Sequence, residues 1–444
     1  MTVTSRRYHL RHQRCVAKSR AIGPSRHTAE PIDEPATKGS AVPVMRSGTQ
    51  ARGRRTGLIV FAVVLGTAAG CGTGSPATDP GGASSSSTST LPAPWQGTFD
   101  STALPATVQA LRAVSCASAQ RCWAVGSSVA TATVPSGPIL MRSNDGGANW
   151  TSQTLPPGVG YLAAIACSST RACTAVGQVG GTGSGPGAIL TTTDGGTVWS
   201  LQTVPAGTTD VTAVDCPSVS KCLALATVAG RVTALGAPAS GATWVPGGPL
   251  APIASTATSI ACTDSRHCWA TASDTVDPAH AVGSISTTAD GGVTWTLQTV
   301  PVGTGALNAV TCLAPAAGTS AGQATCTMVG TTSTVENGAR TGLGVVLTTT
   351  DGGSHWVSAP VPPTVADLFS VTCPSGSCMA VGTTVAASAQ GGVALLTSGT
   401  GTPATIWRRA VSVPVALPLT SVSCDSPSAC VAVGESVSAH LSPT

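Results

Sequence analysis

Residues 164–199 read AIACSSTRACTAVGQVGGTGSGPGAILTTTDGGTVW, and this stretch decides the fold because both of its signatures return along the chain. The first signature is an apolar run, a Cys, a loop of usually five residues, a second Cys, and then Ala-Val-Gly or a near copy. It recurs as AVSCASAQRCWAVG (113–126), AVDCPSVSKCLALA (213–226), SIACTDSRHCWATA (259–272), SVTCPSGSCMAVG (370–382) and SVSCDSPSACVAVG (421–434), with a longer variant from Cys312 to Cys326. The second signature is an apolar pair, Thr or Ser, Asp-Gly-Gly, two residues and Trp. It recurs as ILMRSNDGGANW (139–150), ISTTADGGVTW (285–295) and VLTTTDGGSHW (346–356). Degenerate copies end at Trp244 and Trp407, where Ala239 and Thr402 stand in the Asp position.

Each unit therefore reads as strand, Cys loop, strand, variable loop, strand, Asp-Gly-Gly turn, strand. Short β-rich runs bounded by Gly turns predict a four-stranded antiparallel sheet. Such a sheet repeated every 40 to 50 residues is a propeller blade. Seven Cys pairs begin at Cys116, Cys167, Cys216, Cys262, Cys312, Cys373 and Cys424, so residues 95–444 supply seven units. After Cys430 only fourteen residues remain, enough for a third strand but no fourth. The missing strand lies at the other end: Trp95 and the residues after it, WQGTFDSTALP, match the tail of each unit, such as WTSQTLP from Trp150 or WTLQTVP from Trp295. The sequence thus predicts an all-β, seven-bladed propeller closed 3+1 by its N-terminal strand, which removes the free edges of an open array. Trp95, Trp150, Trp199, Trp244, Trp295, Trp356 and Trp407 then hold one equivalent place per blade, with Trp123 and Trp269 as extras beside a second Cys.

Composition agrees with that architecture. The 444 residues are 42% hydrophobic, 9% charged and 3% aromatic, with 52 Gly, 32 Pro and 16 Cys. Leu, Glu and Lys are scarce while Thr, Val, Ser and Gly abound, which disfavours a helical fold. The net charge of +4 conceals a split. Residues 1–70 hold 12 Lys+Arg against 3 Asp+Glu, and residues 71–444 hold 10 against 15. A basic nucleic-acid-binding surface is thereby excluded, since phosphate neutralisation needs clustered Lys and Arg.

The N-terminal segment reads as an address. LIVFAVVL (58–65) follows Arg52, Arg54 and Arg55 and precedes TAAGC, ending at Cys71. A basic region, a short apolar stretch and small residues before a cut describe an export signal too short to span a bilayer. Counted from Met45 it has ordinary length, so Met45 is the expected true start. The small-small-Cys ending resembles a bacterial lipoprotein signal, which implies lipidation of Cys71; Ala68 stands where such signals usually carry Leu, and plain secretion is the alternative. Residues 72–94 are rich in Gly, Ser and Pro and read as a flexible tether. The domain reading is 1–70 extension and signal, 71–94 lipid-attachment Cys and linker, 95–444 propeller.

In an exported chain, paired Cys flanking a short hairpin loop read as disulfides. The pairs are Cys116–Cys122, Cys167–Cys173, Cys216–Cys222, Cys262–Cys268, Cys312–Cys326, Cys373–Cys378 and Cys424–Cys430. Zinc would need four converging ligands, and these pairs sit on separate blades with few His. Cys15 and Cys71 are left over, and no metal or cofactor is expected.

The Asp-Gly-Gly turns at Asp145, Asp194, Asp290 and Asp351 resemble the Asp box, or bacterial neuraminidase repeat, of sialidases, sortilin-type receptors and photosystem II assembly factors. The resemblance implies a structural turn remote from any active centre. A sialidase would need an arginine triad and a Tyr nucleophile with a Glu partner. Beyond residue 71 the chain has one Tyr, Tyr161, placed just ahead of a strand where packing is expected, and two Glu, Glu336 and Glu435. The expected function is a non-catalytic binding or assembly scaffold at the cell envelope, with a sialidase-like or other glycoside hydrolase as the alternative. Its site is expected on the variable loops between second and third strands, where adjacent units carry Asp274, Asp277 and His280, and Glu336, Asn337 and Arg340. The expected partners are a protein or glycan and, through the lipid, the membrane; a monomer is expected.

Overall fold

The computed structural model describes Trp95 and residues 98–442, apart from positions 134, 181–184, 238–242, 251–255, 275–281, 316–322, 334, 337–338, 341, 386–390, 398–406 and 410–416. These residues lie within one compact unit, Ser84–Thr444. Its described regular structure is strand apart from one 3₁₀ turn, Pro374–Gly376, and no described helix is long and apolar enough to cross a membrane.

The protein is a seven-bladed β-propeller of four-stranded antiparallel sheets. Blade 1 is built from Val108–Cys116, Cys122–Ser128, Pro138–Ser143 and Thr151–Ser152. Blades 2 to 6 repeat it over 159–201, 208–249, 256–298, 304–359 and 365–409. Blade 7 takes Leu419–Ser426, Ala429–Gly434 and Val437–Ser442 from the end of the chain, and its outermost strand is Thr98–Ala103. That strand pairs with the third strand from Thr98↔Ser442 to Ala103↔Val437. The closure expected from Trp95 is therefore the one observed.

The second and third strands read as nearly continuous apolar runs because each is covered on both faces by neighbouring blades. Gly187–Thr192 and Gly344–Thr349 are buried along their whole length. Seven buried clusters result, each shared between two adjacent blades. Six of them contain a tryptophan of the repeat, and the partly buried Trp295 packs against the seventh. Trp199 shares its cluster with Trp123, Val125 and Leu140 of blade 1, Trp356 with Trp269 and Ile285 of blade 4, and Trp150 with Val431 and Val433 of blade 7. The extra tryptophans thus enlarge two of these seams, and Trp269 Nε1 also donates to the Gly352 carbonyl at 2.8 Å.

All seven disulfides form as paired above, one per blade. In five blades the two cysteines are direct cross-strand partners, as in Cys167↔Cys173. Seven structural disulfides belong to an oxidising, extracytoplasmic environment.

The first strands contact one another in sequence around the axis, from blade 1 through blade 7 and back to blade 1. As inner sheet edges they would leave N–H groups unpaired. Side chains of the preceding blade accept them: Ser115 bonds Cys167 N at 3.0 Å, Ser259 bonds Val310 N at 3.3 Å, Ser370 bonds Val422 N at 3.2 Å, and Ser421 and Ser423 bond Val114 N and Cys116 N at 3.1 and 3.0 Å. The glycine of Ala-Val-Gly serves the same inner edge. A Cβ at Gly177 would collide with the carbonyl oxygen of Tyr161 on the bulged first strand.

In blade 3 this bridging position is acidic. Asp215 Oδ1 accepts Cys216 N at 2.8 Å and Oδ2 accepts Cys262 N at 2.6 Å. Burial pushes its carboxyl up from 3.8 to about 6 despite those two bonds. Because the folded value is the higher one, the native state holds the proton more tightly than the unfolded chain. That stabilisation is complete below pH 3.8 and is lost as pH rises to about 6. At the 1.36 kcal/mol that one unit represents, the loss is up to about 3 kcal/mol. Urea unfolding of wild type and Asp215→Asn between pH 4 and 7 should show the variant gaining on wild type by that order as pH rises. A difference that stays constant with pH would refute the assignment.

Candidate functional site

The two faces of the ring do different work. One carries the Cys loops and the Asp-Gly-Gly turns, and its polar groups are largely engaged in holding it together. The hydroxyls of Ser143, Thr192, Thr288 and Thr349 donate to Oδ1 of Asp145, Asp194, Asp290 and Asp351 at 2.7–2.8 Å. Each hydroxyl also accepts the N–H of the second glycine at 2.8–3.0 Å. The same Oδ1 accepts the backbone N–H four residues on, at 2.9–3.1 Å. Both glycines of these turns have positive φ, from 70° at Gly146 to 101° at Gly353, which a side chain would strain. The first glycine's N–H donates to a Cys-loop carbonyl of its own blade, Gln120, Arg171, Arg266 or Ala324. The hydroxyl and N–H bonds from Thr294 hold the Asp290 carboxyl at about 2. At Asp351 burial opposes ionisation, but bonds from His355 and Thr349 prevail and give about 2.

Two imidazoles on this face are tied to neighbouring carboxylates, His267 Nδ1 to Asp264 at 2.9 Å and His355 Nδ1 to Asp351 at 2.6 Å. A cleft of about 290 Å³ between blades 4 and 5 is lined by His267, Trp269, Thr287 and Asp290. Another of about 390 Å³ lies between blades 7 and 1 beside Gln120, Asn144 and Asp145. Among the described residues no hydroxyl bonds either imidazole. Among the described residues no group of three or more His, Cys, Asp or Glu is placed to hold a metal ion.

The opposite face carries the loops joining second to third strands. Three of the expected ligand residues, Asp274, Glu336 and Arg340, lie there, on adjacent blades. Asp274 ends the second strand of blade 4 and pairs with Val282. Glu336 and Arg340 belong to a short hairpin, Val335–Glu336 with Ala339–Arg340, set into the loop of blade 5. Only the backbone of these three is described, and Asp277, His280 and Asn337 lie outside the described residues, as does Cys71.

On the first strands, at the rim of the same face, the structure brings together groups that the repeat pattern did not single out. The Arg112 guanidinium lies 5.3 Å from the centre of the Tyr161 ring, across the junction of blades 1 and 2. Asn308 Nδ2 donates to Asp367 Oδ1 at 3.0 Å and to the Leu368 carbonyl at 2.8 Å, across blades 5 and 6. Asp210 of blade 3 has its carboxyl raised by burial, against hydrogen bonds from Val211 and from Gln178 of blade 2. A cleft of about 300 Å³ beside Arg112 is lined by Gln109, Ser127, Ser136, Gly160 and Tyr161. Tyr161 departs from its expected packing role. It lies within the strand Val159–Cys167, is 37% exposed, and is turned outward where register shifts flank it on both sides.

No protein-family model matches the chain, and the search of curated proteins found no match. Three similar solved structures are distant in sequence. YCF48 bound to D1 peptide aligns at a TM-score of 0.55 and 16% identity, over 80% of this chain and 100% of that one. A streptogramin B lyase aligns at 0.53 and 10%, over 78% and 97%. Virginiamycin B lyase from Staphylococcus aureus aligns at 0.52 and 11%, over 78% and 99%. These likenesses establish the propeller fold. They do not choose a function, since the fold carries both a peptide-bound protein and lyases.

Proposed function

We propose that the protein is an exported binding or assembly scaffold, anchored by a lipid on Cys71, that holds a protein partner at the cell envelope on the face opposite its disulfide loops. The observation that carries this reading is the division of labour between the faces. The Asp-Gly-Gly turns, read as Asp boxes, have their carboxylates occupied by their own turns, whereas the variable-loop face offers exposed Arg112, Tyr161 and Gln109 around a cleft. The similar YCF48 structure holds a peptide, which favours a protein over a glycan.

A photo-crosslinking residue placed at Ser136 should trap an envelope protein, and one placed at Gln120 or Ser428, on the Cys-loop face, should not. Adducts from the Cys-loop positions alone would defeat the reading. The anchor has its own test. Cys71→Ala should move the protein from the membrane fraction to the soluble one, and unchanged membrane association would remove the lipid from the proposal.

A further inference from the structure

We propose that the cleft between blades 1 and 2 is a carboxylate-binding subsite, in which Arg112 receives an acidic side chain of the protein partner; this rests on the scaffold reading. Arg112 is the only Lys or Arg on any of the seven first strands. At the equivalent position in three of the six other blades the side chain ties the ring together. Thr258 donates to the Leu307 carbonyl at 2.7 Å, Asn308 to Leu368 at 2.8 Å, and Thr420 to Leu111 at 2.7 Å. Arg112 makes no such bond. It has no carboxylate partner among the described residues and lies over the Tyr161 ring.

Stacking on an aromatic face orients a guanidinium without engaging its N–H donors. Those donors form a planar fork that matches a carboxylate bidentately. Around it the cleft supplies further polar groups and, among the described residues that line it, no Asp or Glu. The hydroxyls of Ser127 and Ser136 stand 3.5 and 3.4 Å from Gln109 Oε1, which leaves the Gln109 amide N–H₂ as a second donor. A volume of about 300 Å³ lies at the small end of ligand pockets, roughly 300–1,000 Å³, and accommodates a single acidic side chain. A peptide fits better than an acidic sugar for two reasons. Arg112 already lies over the aromatic ring on this rim, and two residues beyond Ser127 the chain presents an apolar side chain, Val129, 43% exposed.

The test uses the full chain and two probes, acetyl-Gly-Leu-Glu-Leu-Gly-amide and its Gln counterpart, with glucuronate as a third arm. The Glu peptide should shift the Arg112 Nε–H resonance saturably and bind at least about tenfold more tightly than the Gln peptide, the worth of a hydrogen-bonded charge. Arg112→Gln should bring the Glu peptide to the level of the Gln peptide. Arg112→Lys should recover little, because an ammonium lacks the fork. Arg112 is exposed, so both variants should keep the circular dichroism and unfolding midpoint of wild type. Equal binding of the two peptides, wild-type binding by Arg112→Gln, or saturation by glucuronate alone would each overturn the inference. The two proposals fail differently. Loss of all Ser136 adducts removes the scaffold, whereas adducts that persist in Arg112→Gln remove only the subsite.

Discussion

Trp95→Ala should lower the stability of the protein by about 4 kcal/mol, the usual cost of emptying a buried Trp site. Trp95 is 2% exposed and shares a cluster with Met379, Val381 and Leu396 of blade 6 and Leu419, Val422 and Leu441 of blade 7. Its Nε1 donates to the Thr397 carbonyl at 3.1 Å across 302 residues of chain. The truncation therefore removes both packing and a buried hydrogen bond at the one blade assembled from both ends of the propeller. Trp295→Ala is the control. It occupies the same place in blade 4 but is only partly buried at its seam, so its loss should be clearly smaller. Guanidinium unfolding followed by circular dichroism compares the two. A Trp95→Ala loss no larger than the control's would mean that the strand Thr98–Ala103 does not close the ring.

The legibility of this fold follows from what repeats. The Cys spacing, the Asp-Gly-Gly turn and the Trp recur because every blade must solve the same three problems: closing a hairpin, turning back, and filling a seam. Counting them gave the blade number, and the shortfall after Cys430 together with the tail-like residues after Trp95 gave the closure. Function is written in what differs between blades, and periodicity is blind to it. Arg112 stands where other blades have Ala163, Thr212, Thr258, Asn308, Phe369 and Thr420. Nothing in that column announces a site until the ring brings Tyr161 of the next blade beneath it. Tyr161 itself read as packing because a single exposed aromatic at a strand start has no periodic partner. The bulges that turn it outward are a property of the crowded inner edge. Trp123 and Trp269 were visible as extras, but their seams with Trp199 and Trp356 needed the blade order in space.

Reduction of the seven disulfides should unfold the propeller under conditions where the oxidised protein stays native. Five bridges besides the fourteen-residue Cys312–Cys326 and the five-residue Cys373–Cys378 close loops of six-residue separation. In the chain-entropy account each short loop contributes roughly 2 kcal/mol and the longer one about 3. Taken as additive, which makes them an upper bound, they reach about 15 kcal/mol, as large as the whole stability of an ordinary domain, about 5–15 kcal/mol. The effect should also be distributed. Each bridge lies in one blade at the edge of one seam, so replacing a single pair, such as Cys167 and Cys173 by Ser, should cost roughly 2 kcal/mol and leave a folded ring. Intact mass before and after reduction and alkylation counts the bridges. Thermal unfolding of the reduced, alkylated chain measures their joint effect. A reduced protein that kept a cooperative transition near that of the oxidised form would show that the seven tryptophan seams suffice alone, and that the bridges serve a purpose other than stability.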